Sequence, residues 1–106
     1  MTNISIAQDT ITSLKASTAL KNKVQTLDLF VQVAEVYIAQ GLTQEGADVL
    51  AYVLQYEQTP DDIFDMAEDL WEDLACWICP RVLLDAETFG KKAYFKDVVE
   101  YILAGI

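Results

Sequence analysis

Val24-Gln25-Thr26-Leu27-Asp28-Leu29-Phe30-Val31-Gln32-Val33-Ala34-Glu35-Val36-Tyr37-Ile38-Ala39-Gln40-Gly41 decides the fold class. Val24, Leu27, Phe30, Ala34 and Tyr37, with Ile38 beside the last, recur at the period of one helical face. Leu29, Val31 and Val33 add apolar surface around that stripe. A helix apolar on most sides is one buried between neighbours. Gly41 follows directly, where a left-handed residue ends such a helix. Thr43 stands as the N-cap of a second helix running through Ala47, Leu50, Ala51 and Leu54. So short a connection predicts an antiparallel hairpin.

The same period extends outward in both directions. Upstream, Ile4, Ala7, Ile11 and Leu14 share a face, while seven Ser/Thr in residues 2–18 lower the propensity of a helix expected over about residues 4–18. Downstream, Thr59-Pro60-Asp61-Asp62 opens a further helix. Thr59 is expected to cap it, Pro60 to take its first position, and the two Asp to favour the positive end of its dipole. Its buried stripe is Ile63, Ala67, Leu70, Leu74 and Ile78, widened by Phe64, Trp71 and Ala75. Pro80 forces a break. A short helix over about 81–89, closed by Gly90, and a last one carrying Phe95, Val98, Val99 and Ile102 complete the chain before Gly105. The expected fold is all-α: a compact bundle of five or six helices in a single domain, 1–106. It comprises a weakly packed N-terminal helix (1–20), the hairpin (22–57) and capping helices (60–104).

Composition agrees with one globular domain. The chain has 106 residues, of which 53% are hydrophobic, with 4 Gly and 2 Pro. That apolar content offsets the entropy of ordering the backbone and needs no disulfide framework.

Residues 30–60 resemble a tetratricopeptide repeat. The resemblance rests on Ala34-x-x-Tyr37-x-x-x-Gly41 in the first helix, preceded by the large Phe30, and on Gly46, Ala47, Leu50 and Val53 in the second. Pro60 falls later than the proline that closes such a repeat. The remainder, through Thr59-Pro60, the acidic helix Ala67 to Leu74, Cys79-Pro80, Phe89-Gly90 and Phe95 to Leu103, resembles the C-terminal helical tail of bacterial repeat-containing ATPases and transcriptional regulators. The resemblance covers about residues 24–104. It implies a tetratricopeptide-like protein-binding scaffold with a regulatory role, and it carries no catalytic residue across. A single repeat cannot bury both of its faces, so the later helices or a second copy of the chain must cover it. The sequence leaves homodimerisation open.

Charge narrows the function classes. Seventeen acidic residues against seven basic ones give a net charge of −10, and no Lys or Arg stands between Lys23 and Arg81. Such a surface repels phosphates and anionic lipid and attracts basic proteins. Direct nucleic-acid binding and membrane binding are therefore not expected. The chain has no histidine, which removes the commonest general base and zinc ligand. No apolar run is long enough to span a bilayer and no secretory signal is present, so a cytoplasmic location is expected.

Three constellations invite a chemical reading. Cys76-Trp77-Ile78-Cys79 is a C-x-x-C followed by Pro80. Placed at the end of an acidic helix, where the dipole and nearby carboxylates disfavour thiolate, it reads as two buried cysteines. The alternative is a thiol redox or metal-responsive pair. Asp61-Asp62-Ile63-Phe64-Asp65 matches a D-D-x-x-D magnesium motif, yet the first-turn role accounts for its aspartates without a metal, and no cofactor or metal is expected. The third is the acidic face itself: Asp61, Asp62, Asp65, Glu68, Asp69, Glu72 and Asp73, seven carboxylates within thirteen residues. Like charges at helical spacing repel, and docking against Lys and Arg of a protein partner would relieve them. Of Trp71 and Trp77, one is expected in the core and the other partly exposed. The sequence thus reads as a non-catalytic interaction module or regulatory adaptor.

Overall fold

The computed structural model describes residues 12, 15, 16 and 23–104. Thr12, Lys15 and Ala16 are helical and exposed; the rest of the helix expected over 4–18 lies outside the described residues. Five helices follow: α1 (Lys23–Ala39), α2 (Thr43–Gln55), α3 (Asp61–Ala75), α4 (Pro80–Lys92) and α5 (Phe95–Ala104). No strand occurs among the described residues. The all-α expectation is met.

The hairpin turn follows from Gly41, whose φ is +83°. That left-handed conformation lets Leu42 N–H reach the Tyr37 carbonyl at 2.8 Å and Gly41 N–H the Ile38 carbonyl at 3.1 Å. Two carbonyls orphaned at the end of α1 are thereby satisfied. Thr43 is the first residue of α2, and Leu42 holds the cap position without a side-chain cap bond.

α2 is the central helix, packed against α1, α3 and α4. The main core joins Leu27, Phe30, Val33, Ala34 and Tyr37 of α1 to Val49, Leu50 and Val53 of α2, Ile63 and Ala67 of α3, and Val98 and Ile102 of α5. A second cluster gathers Ala47, Ala51, Leu74 and Ala86. Small side chains bring α2 and α4 close together there. An added Cβ at Gly90 would lie 2.9 Å from the Ala51 carbonyl carbon.

Several local expectations are corrected. Gly90 does not close the helix after Pro80. It is buried inside α4, which continues to Lys92, because its missing side chain serves the approach to α2. Pro60, not Thr59, is the cap residue of α3, with a ψ of 150°. The Thr59 hydroxyl instead donates to the Val53 carbonyl at 2.8 Å, tying the loop back to α2. Val24 is exposed, since it lies on the first turn of α1 where none of the other described helices covers it. α3 ends at Ala75, one turn short of the expected stripe, so Ile78 packs onto the second cluster from the connecting turn. Trp71 is half-buried against both clusters rather than in the core, and Trp77 is exposed.

Candidate functional site

The acidic residues of α3 are held outward by the apolar ones. Ile63, Ala67 and Leu74 are buried, with Leu70 and Trp71 half-buried beside them. At about 100° per residue, Asp61, Asp65, Glu68 and Glu72 then point away from the core, and Asp62, Asp69 and Asp73 lie to one side. All seven are exposed. Among the described residues none of them forms an ion pair; Arg81 Nε to Asp85 Oδ2, at 4.0 Å on α4, is the one that is made. No three His, Cys, Asp or Glu side chains among the described residues converge in a way that would hold a metal ion. Asp61, Asp62 and Asp65 stand exposed on the first two turns of α3.

The side of α3 carrying Asp69 borders a groove that sequence spacing does not reveal. Asp28, Gln32 and Glu35 of α1 form its opposite wall, while Val31, Met66 and Leu70 supply apolar surface between. The groove measures about 390 Å³. Gln32 donates to Asp28 at 3.1 Å along its own wall. Asp28 and Glu35 are seven residues apart, so both fall on the face of α1 that borders α3. That spacing was visible in the sequence; which helix would stand opposite was not.

The two thiols correct an expectation. Cys76 and Cys79 are both free and exposed, not buried. Cys76 caps the C-terminus of α3 and Cys79 the N-terminus of α4, so the chain turns between them and neither enters a helical stripe. Cys79 makes no side-chain cap bond, and Pro80 follows it at the start of α4.

Asp48 is the polar residue that sequence reading passed over. It sits in the apolar run of α2 with only 8% exposure. Gln44 Nε2 donates to its carboxylate at 2.8 Å and Tyr101 Oη at 3.3 Å. Gln44 Nε2 also lies 3.2 Å from the Val82 carbonyl, so the network joins α2, α4 and α5. Burial pushes the Asp48 carboxyl above its ordinary range, although both hydrogen bonds favour its charged form. Burial also raises Tyr101, with the Asp48 charge adding to it. A lone charged residue amid Ala47, Val49, Leu50 and Ala51 was the available signal.

A larger groove of about 630 Å³ lies near Lys23, Tyr52, Tyr56, Lys91, Tyr94 and Phe95. Lys23 Nζ stands 5.7 Å from the centre of the Phe95 ring, within cation–π range. Burial pushes the Tyr52 phenol up to about 12. Lys91 and Lys92 occupy the last turn of α4, where cations favour the negative end of the dipole.

No protein-family model matches the chain, and no curated protein or solved structure is significantly similar to it. No described helix is long and apolar enough to cross a membrane.

Proposed function

We propose that the protein is a non-catalytic interaction module whose acidic α3 face docks a basic surface on a protein partner. The observation that carries this reading is the exposure of all seven carboxylates from Asp61 to Asp73 without an ion-pair partner among the described residues. Mutually repelling charges of this density reduce stability, and cations from another protein would offset that loss and speed encounter. The likeness of residues 30–60 to a tetratricopeptide repeat supports a binding scaffold of regulatory type. The missing histidine removes the usual means of proton transfer near neutral pH.

The test compares the wild type with Asp65→Lys/Glu68→Lys/Glu72→Lys in affinity capture from native extract, with circular dichroism as the folding control. A protein retained by the wild type and lost from the equally helical variant supports docking. Equal retention by both removes this face from the account.

One observation favours a second reading, a thiol redox or metal-responsive role: both Cys76 and Cys79 are accessible to solvent. A disulfide formed reversibly between them under a mild thiol–disulfide buffer would support it. Persistence of two free thiols across that buffer would exclude the redox form, and absence of zinc binding to the reduced protein would exclude the metal form.

A further inference from the structure

We infer that the groove between α1 and α3 receives a cationic amphipathic helix from the partner, an inference that rests on the docking function proposed above and specifies the partner's form. The groove is apolar in its middle and acidic at both edges. Met66, 44% exposed, and the half-buried Leu70 form the apolar strip, over a floor at the buried Val31. Asp28 and Glu35 border it on α1, and Asp69 on α3, where Asp62 and Asp73 extend the same side by helical spacing. Its complement is a stripe of apolar side chains with Lys or Arg on both flanks.

A helix fits this arrangement better than an extended segment. Both walls are helices whose backbone groups are bonded within themselves, so they offer no free sheet edge to which an extended peptide could add. A helix brings its own backbone hydrogen bonds and needs only side-chain contacts. One or two apolar residues at i and i+4 would rest on Met66 and Leu70, in reach of basic residues facing Glu35 and Asp69. A second copy of this chain is a poor occupant. Pairing through this same groove would set acidic walls against each other, since neither wall carries a cation between Lys23 and Arg81.

The probes are two fluorescent 14-residue peptides of identical Leu and Lys content, titrated by anisotropy at near-physiological salt. In one, leucines recur at helical spacing on a single face; in the other they are spread around the helix. The wild type should bind the amphipathic peptide at least about tenfold more tightly. Met66→Ser, at a side chain already partly in solvent, should remove that advantage, and Glu35→Lys/Asp69→Lys should weaken the amphipathic peptide further. Equal affinity for the two peptides, or an advantage that survives Met66→Ser, overturns the groove. If that equal binding is lost in Asp65→Lys/Glu68→Lys/Glu72→Lys, the docking face stands without the groove. Binding of neither peptide overturns the groove and leaves the docking face to the capture experiment. A peptide-induced doubling of mass in sedimentation would point to a second copy as the occupant and would also overturn the inference.

Discussion

Gly90 rests against Ala51 so closely that a Cβ at position 90 would come 2.9 Å from the Ala51 carbonyl carbon and 3.0 Å from its oxygen. Gln55 Nε2, also 2.9 Å away, can swing aside with its side chain, but the two Ala51 atoms are backbone and cannot. Gly90→Ala would gain up to about 1 kcal/mol of helix propensity. Overpacking costs about 1–3 kcal/mol and should outweigh that gain. A lower midpoint in urea with an unchanged slope is expected. A midpoint equal to or above the wild type would show that α2 and α4 can separate without loss.

Asp48 should make stability depend on pH in a definite direction. Its folded pKa is raised above the ordinary 3.8. The stability it contributes is therefore present below 3.8 and lost as pH rises through the folded value. Asp48→Asn, which stays neutral, should melt higher than the wild type at pH 7, and the difference should shrink as pH falls toward 3.8. A variant that melts lower at pH 7 would mean that the bonds from Gln44 and Tyr101 outweigh the burial of the charge.

Asp65 has a carboxylate at each of the four helical neighbour positions: Asp61, Asp62, Glu68 and Asp69. Like-charge pairs at these spacings cost about 0.2–0.5 kcal/mol each. Asp65→Lys should raise the thermal midpoint at 0.01 M salt, and the gain should fall in 0.5 M NaCl, where the Debye length shrinks from about 30 Å to less than about 5 Å. No change at low salt would show that the carboxylates do not interact as the helix places them.

The exposed positions of Cys76 and Cys79 predict two equivalents of rapid labelling by a thiol reagent in the native protein at pH 8. The rate should be within about tenfold of that in denaturant, since access no longer limits reaction. A thiol protected until the protein unfolds would contradict the turn between α3 and α4.

Much of this architecture was legible because helical period and punctuation agree. The stripe from Leu27 to Tyr37 and the glycine after it define α1 and its turn, and the solvent orientation of Asp61 to Asp73 follows from Ile63, Ala67 and Leu74 being inside. Misreadings arose where a residue serves a tertiary neighbour instead of its own helix. Gly90 reads as a stop signal but is spent on contact with Ala51, and Thr59 reads as a cap but bonds the Val53 carbonyl. The cysteines read as buried because the α3 stripe was extended one turn past Ala75. The groove between Glu35 and Asp69 joins residues from two helices, and spacing along one chain segment carries no information about that pairing.

The most direct measurement is a two-dimensional ¹⁵N NMR titration of the wild type with the amphipathic Lys/Leu peptide. A helix docked between α1 and α3 should give shift changes confined to Asp28–Glu35 and Asp61–Asp73, with the aromatic groove around Tyr56 and Phe95 unmoved. Changes centred on that aromatic groove, or spread evenly over the surface, would contradict it.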